Sequence, residues 1–465
     1  MSSRPVRRFF VETWGCQMNE LDSQRMAGQL MQLGILPVRE PHEADLILLN
    51  SCSVREKAEQ KVYSRLGAYR RLRRDRGEPL FIGLCGCVAQ QEGERALSRV
   101  PDLDFVLGPA RVGELREVLA RRLTGERVVA TGFPRDRRFD LDAVARDGAH
   151  KGMVTVIEGC DKRCTFCIVP STRGPERCRP LAEVLAEVRH LLAYGFAEIE
   201  LLGQTVNHWR DPGGGFDFAD LLDAVAGLPG LRRLRFVTSY PRDFTPRMVE
   251  RLARHRKICP YLHLPVQSGS DAVLRRMGRG YDIASYLDLT AAIRAARPGI
   301  AISTDFIVGF PGETDAEFEE TLSLVERGRF AAIFAFCYSP RPGTAALRLE
   351  PEVPKGVAEA RLQRLLRLQD GIQRELNEER VGAIEEVVVT GWGREAGSLA
   401  GRTPCHRIVH FPGGATPARP GEIVAVRIER ALAHSLLGSE PLPAGLSGTP
   451  GPPRSDAPLA DPPRP

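Results

Sequence analysis

The chain has 465 residues, 43% of them hydrophobic and 27% charged, which is too long for one ordinary core and predicts two to three soluble domains. No apolar run approaches the ~18 residues of a membrane helix, and MSSRPVRRFF lacks the apolar stretch of a secretory signal, so a cytoplasmic protein without a membrane role is expected. Eleven unevenly spaced cysteines exclude a disulfide framework and point to metal or redox chemistry, while the net charge of +6, almost all arginine, is a mild pointer to an acidic partner such as RNA.

Residues 7–125 alternate strand and helix patterns. RRFFVETWG reads as a strand and NELDSQRMAGQLMQLG as a helix ending at glycine. ADLILLN is a buried strand, EKAEQKVYSRLGAYRRLRR a charged helix, and PLFIGLCG and DFVLGP are further strands. This order predicts a parallel, doubly wound sheet. Cys16, Cys52 and Cys87 each follow a strand, and open parallel sheets bind ligands beyond the strands' carboxyl ends. One such cysteine reads as a small buried hydrophobe; three in phase favour a shared metal site. Cys85 stays inside its strand, as core.

A basic, proline-punctuated linker is expected over 126–148. From 149 to 380 the strands MVTVIEG, EIELLGQ, LRFVTS, YLHLPVQ, AISTDFIVG and AAIFAFCYS alternate with helices, as in a partial (β/α)6 barrel of the TIM type, closed by a long polar helix over about 355–380. Polar, glycine-rich punctuation falls at the strand ends, where such barrels keep their chemistry. The short strands of 381–437 predict a small OB-like β-barrel. Beyond 438 the Pro-, Gly- and Ser-rich tail has no periodicity and is expected to be disordered.

The first barrel strand leads into EGCDKRCTFCIVPSTRG, which sets Cys160, Cys164 and Cys167 in a CxxxCxxC array. Structural zinc takes four protein ligands, usually as two knuckles, and Cys178 is the nearest fourth candidate. A four-iron cluster held by three cysteines instead leaves one iron open to a substrate or cofactor.

That array, with Phe166 inside it, at the mouth of a partial barrel, resembles the radical S-adenosylmethionine family. TWGCQMNELDS, LLNSCSVREKAEQKVYSRLG and GCVAQQEGE further resemble the amino-terminal domain of the methylthiotransferases. LLGQTVN, LHLPVQSGSD and STDFIVGFPGET resemble their barrel, and the last segment their RNA-binding TRAM module, so the likeness spans about residues 8–437. The resemblance implies that S-adenosylmethionine chelates the open iron and yields a 5′-deoxyadenosyl radical. It also implies a second [4Fe–4S] cluster on Cys16, Cys52 and Cys87, carrying the sulfur that is methylated and transferred. GCQMN in place of GCKVN points to the branch that modifies isopentenylated adenosine at position 37 of tRNA, rather than threonylcarbamoyl-adenosine or a ribosomal-protein aspartate. A flavodoxin- or ferredoxin-type reductant is implied, the sulfur donor is not identified, and nothing demands more than a monomer. The rival from another class is a zinc-stabilised RNA-binding protein without catalysis. Adenine C2–H is neither acidic nor electrophilic enough for acid–base or nucleophilic chemistry, which is why a radical is needed.

Gln204, Ser239, Gln267, Asp305 and Glu313 lie at or near barrel strand ends as candidate S-adenosylmethionine contacts, each also able to cap a helix or satisfy a loop. Gly309 and Gly312 either admit the adenine or shape a turn. Arg402, Arg407 and Phe411 are candidates for phosphate contact and base stacking, against surface charge and core packing. Cys259, Cys337 and Cys405 read as bystanders. His406 and Tyr240 replace residues usual in the family, which touches substrate contacts and no cluster ligand.

Overall fold

Strand registers in the amino-terminal third decide where the cysteines fall. The structure, a computed structural model, describes residues 6–53, 56–134, 151–414 and 417–442, and of 56–60 the backbone alone. Strands β1 (Arg8–Trp14), β2 (Leu36–Pro37), β3 (Leu46–Ser51), β4 (Phe81–Gly86), β5 (Phe105–Leu107) and β6 (Val128–Ala130) form one parallel sheet, ordered β2-β1-β3-β4-β5-β6. Every residue of β3 is buried because both faces are covered. Leu46 and Leu48 enter one core, Ile47 and Leu49 the other. Trp14 pairs with Ser51 and Ser51 with Gly86, so three strands end in line. The sheet continues into the stretch expected as linker: Val128 and Ala130 are buried in β6, apolar enough to add an edge strand. The rest of that stretch, 135–148, lies outside the described residues.

The middle of the chain forms two three-stranded parallel sheets. One contains β7 (Gly152–Thr155), β10 (Glu198–Leu202) and β11 (Arg233–Phe236); the other contains β12 (Tyr261–His263), β13 (Ala301–Val308) and β14 (Ala332–Cys337). A bridge between Leu234 and Ile258 joins them, and Cys259 N donates to Leu234 O at 2.9 Å, which gives an open six-stranded barrel. A short antiparallel hairpin, β8 (Ile157–Glu158) with β9 (Arg177–Cys178), brackets the CxxxCxxC loop. Helices such as Leu181–Ala193, Phe218–Ala226 and Lys355–Glu378 cover the convex face and bury one continuous core, from Val184 through Leu222 to Leu365. Asp217 starts the second of these helices with a capping box, its side chain accepting from Ala219 N and Asp220 N.

Strands β15 (Ile384–Trp392), β16 (Ser398–Arg402), β17 (Ile408–Pro412), β18 (Ile423–Ala431) and β19 (Leu436–Gly438) close into a barrel ordered β15-β16-β17-β19-β18. Order runs past the expected end at 437: Ser439 N donates to Arg427 O at 2.9 Å and Leu442 N to Ala425 O at 2.8 Å. Residues 443–465 of the expected tail lie outside the described residues. Among the described residues no helix is long and apolar enough to cross a membrane.

Candidate active site

Cys16 is the N-cap of the helix Gln17–Gln32, Cys52 follows β3 directly, and Cys87 opens the helix Cys87–Glu92. The aligned strand ends bring these three together: Cys52 lies within hydrogen-bonding reach of both other thiols. Its S–H stabilises their thiolates, lowering Cys16 to about 6 and Cys87 to about 7, while Cys52 itself is pushed well up. The approach is close. A Cβ on Gly15 would stand 2.8 Å from Cys52 Cβ.

Beneath them is a polar clasp that sequence reading passed over. Asn19 Nδ2 donates to Asn50 Oδ1 at 3.2 Å, and Asn50 Nδ2 donates to Asn19 O and Ser23 Oγ, both at 2.8 Å. Both asparagines are fully buried and fix the first helix turn against the end of β3. Their signal was present as polar residues closing apolar runs, in GCQMN and LLNSC.

The second cysteine group sits on the loop after β8. Gly159 has φ +74°, and a Cβ there would lie 2.1 Å from Pro175 O, so only glycine lets the loop turn under the hairpin. Cys160 N donates to Gly174 O and Cys167 N to Cys164 O, both at 3.1 Å, and Thr165 N and Oγ1 donate to Met277 O and Arg276 O. Burial pushes the Cys160 and Cys167 thiols up, the latter to about 12. Phe166 meets Phe310 edge-on at 6.4 Å.

Two buried arginines complete the picture. Arg279 donates to Pro265 O at 2.9 Å, lies 4.6 Å over the Tyr240 ring, and places Nη1 3.4 Å from Cys164 Sγ. Arg173, on the helix Val169–Arg173 just after the cysteine loop, crosses to the amino-terminal domain and pairs with buried Asp22 at 2.8 Å. Its charge also acts on Cys16 and Cys87, and its Nη2 is buried with no hydrogen-bond partner. Neither arginine was singled out from the sequence, though one lies in STRG and the other in GRG.

The other expected contacts divide. Gln204 and Ser239, just past β10 and β11, carry buried side-chain oxygens without hydrogen-bond partners. Gln267 bridges to Phe306 with φ +82°, and Asp305 on β13 lies 3.4 Å from His263 Nε2. Glu313 accepts through one oxygen from Gly309 N at 2.6 Å and Arg361 Nη1 at 2.8 Å, and its other oxygen, Oε1, is buried without a hydrogen-bond partner. Gly309 backs onto Ala358, which a Cβ would meet at 2.5 Å, and Gly312 N donates to Pro351 O, so both shape the turn.

Of the β-barrel candidates, Phe411 is corrected. Phe411 is 2% exposed, packed among Val387, Val409 and Val426, and has no face left for a base. Arg402 donates to His406 O, and Arg407 to Asn377 Oδ1 and Leu376 O, so both tie the chain to itself. The exposed aromatic on this barrel is Trp392, with Arg394, Arg427 and Arg430 also exposed. Cys178 packs on the central core and accepts from Arg210 N at 3.4 Å.

None of the eleven cysteines is in a disulfide. Among the described residues no three His, Cys, Asp or Glu close on one point as ligands of a single ion would. The corners of a four-iron cube stand further apart than that. Two groups of three thiols, one beside a buried guanidinium with an unused N–H and the other near unpartnered oxygens, fit iron–sulfur clusters and a polar cofactor better than one zinc.

Three family models match: an uncharacterised family, UPF0004, over residues 8–108, the radical SAM superfamily over 154–325, and the TRAM domain over 378–439. The chain is 50% identical to the tRNA-2-methylthio-N(6)-dimethylallyladenosine synthase of Anaeromyxobacter dehalogenans (strain 2CP-C), across 94% of each chain. It is 44% identical to the protein of that name from Myxococcus xanthus (strain DK1622), across 96% of this chain and 98% of the relative. Among solved structures, the radical S-adenosylmethionine methyltransferase TsrM from Kitasatospora setae, with cobalamin and a [4Fe-4S] cluster bound, superposes with a TM-score of 0.53 at 14% identity. It covers 82% of this chain and 77% of that one, a likeness of fold.

Proposed function

The chain belongs to the tRNA-2-methylthio-N(6)-dimethylallyladenosine synthases, within the radical S-adenosylmethionine superfamily, and we propose that its two cysteine triads each hold a [4Fe–4S] cluster. It is a tRNA methylthiotransferase that converts N6-dimethylallyladenosine to its 2-methylthio derivative. The observation that carries the two-cluster reading is the register of β1, β3 and β4, which brings Cys16, Cys52 and Cys87 together at one edge of the sheet. Bound at Cys160, Cys164 and Cys167 and at the amino-terminal triad, the clusters with S-adenosylmethionine supply a radical able to take the C2 hydrogen, and the sulfur and methyl group that replace it.

The chain's own residues bind, orient and exclude water. Arg279 holds the Cys164 loop from below, and its guanidinium offsets the negative charge of ligating thiolates. Gln204 and Ser239 offer the unpartnered oxygens suited to the amine of a methionyl group. Arg173 offers Nη2 toward the amino-terminal triad. Exposed Trp392, with exposed Arg394 two residues on, suits stacking and phosphate contact with tRNA, in place of Phe411. A small flavin- or iron–sulfur-type reductant, action as a monomer and a cytoplasmic setting complete the reading.

The test is iron and acid-labile sulfide per chain after anaerobic reconstitution. Two four-iron clusters give about eight irons, falling to about four when Cys16, Cys52 and Cys87 are all replaced by Ala. About four irons in the unaltered chain would remove the second cluster, and zinc without iron would remove both.

A further inference from the structure

The concave face of the central barrel, turned away from its helices, is only half covered. On β7, on β10 and just past β11 it carries Met153, Leu202 and Val237, and Met18 and Leu21 of the amino-terminal domain pack onto them. Near the strand starts, Arg235 reaches the carbonyls of Thr403 and Pro404, and Tyr261 stacks on His406 at 4.7 Å.

On β13 and β14 the face is partly exposed. Register sets Asp305 beside Phe334 and Ile307 beside Phe336. Their neighbours Phe306, Val308, Ile333 and Ala335 point into the helix-side core, so strand alternation turns both phenylalanines to the concave side. Phe334 is 43% exposed and Phe336 39%. Two exposed phenylalanines on an edge strand are a hazard for a soluble chain unless a ligand covers them.

What borders them narrows the ligand. His263 meets Phe334 edge-on at 5.7 Å, its Nδ1 is 2.9 Å from Ser303 Oγ, and its Nε2 is 3.4 Å from Asp305. The face is thus aromatic along β14 and hydrogen-bonding along β12 and β13. It is also continuous with both cysteine groups. Met18 is two residues past Cys16, and Phe310 links Phe166 of the cysteine loop to Tyr338, just past β14, at 6.4 and 5.2 Å. A base with a nitrogen edge and a branched apolar chain uses both halves of such a face.

We propose that Phe334 and Phe336 seat the N6-dimethylallyl chain of the substrate adenine, with His263 and Asp305 along its nitrogen edge. This rests on the function proposed above and deepens it, since these rings would be what separates dimethylallyl-adenosine from plain adenosine.

The experiment uses reconstituted full-length enzyme and two anticodon stem-loops, one with dimethylallyl-adenosine and one with unmodified adenosine. Binding is read by fluorescence anisotropy without reductant, and KM and kcat separately by product formation. Phe334→Ser and Phe336→Ser are expected to cut the preference for the dimethylallyl stem-loop by tenfold or more, on the order of what a few methylenes contribute to discrimination. The loss should fall on affinity and KM, with iron content and affinity for the unmodified stem-loop unchanged. Phe216→Ser, at a ring 48% exposed just before the helix Phe218–Ala226 and outside β12–β14, should match the unaltered enzyme. A wild-type preference in both variants, or an equal weakening toward both stem-loops, overturns the proposal. Failure of the functional reading looks different: the unaltered enzyme would methylthiolate neither stem-loop, and both readings would fall.

Discussion

The guanidinium of Arg173 joins two domains through a single buried contact, and its surroundings decide what its loss would do. Asp22 is 1% exposed and lies 2.8 Å away, with Arg25 the next cation at 3.9 Å, so removing Arg173 leaves a buried carboxylate with its weaker partner alone. Breaking one side of a buried pair costs about 3–5 kcal/mol, most of it the penalty of the charge left behind. Arg173→Gln should therefore lower the urea midpoint of the cluster-free chain strongly. Asp22→Asn with Arg173→Gln should cost less than the sum of the single changes, a coupling that a double-mutant cycle measures. Additive losses would mean that the two side chains act independently. The same residue shows what a sequence hides. STRG places Arg173 beside the cysteine loop, but its partner stands 151 positions earlier, and no local pattern carries that pairing.

Strand alternation governs the β-barrel and explains why Phe411 was misplaced. In β17 burial alternates, with Val409 and Phe411 inside and Ile408 and His410 partly out. A five-residue strand with aliphatics on both parities leaves the direction of the ring open until β16 and β19 fix the register. Trp392 is 68% exposed at the end of β15, beyond a bulge between Val389 and Gly391 that resets the parity of the strand. The two aromatics should then separate by experiment. Phe411→Ala should destabilise the chain by about 3–5 kcal/mol through a core cavity, read as a shift in thermal or urea midpoint. Trp392→Ala should leave that midpoint in place and weaken tRNA binding by about 1–3 kcal/mol, the contribution of one stacked base. A Trp392 variant with full tRNA affinity would put the RNA elsewhere on the barrel.

At the scale of the whole molecule, the cysteines were legible because their position depends on strand order alone: each follows a strand, and parallel strands end together. How three domains are held was not legible, because Arg233 and Arg235 look like surface charge in LRRLRF. Both are buried. Arg235 Nε meets Glu198 at 2.8 Å while its Nη1 and Nη2 reach the carbonyls of Pro404 and Thr403, each at 2.9 Å, and Arg233 donates to Glu386 O at 2.8 Å. These contacts lie near the starts of β10 and β11, whereas the CxxxCxxC loop lies beyond the end of β7, so docking of the β-barrel and that cysteine group use opposite ends of the central barrel. Arg235→Ala removes the cation and leaves Glu198 buried beside Arg233 alone. The altered enzyme should keep its full iron and sulfide content, yet bind tRNA more weakly and with a raised KM, as the β-barrel loses its fixed orientation. Faster proteolytic cleavage between the helix Lys355–Glu378 and β15 should accompany that loss. Iron falling together with tRNA affinity would mean that the two ends are coupled through the barrel, and that the orientation of the RNA module reaches the clusters after all.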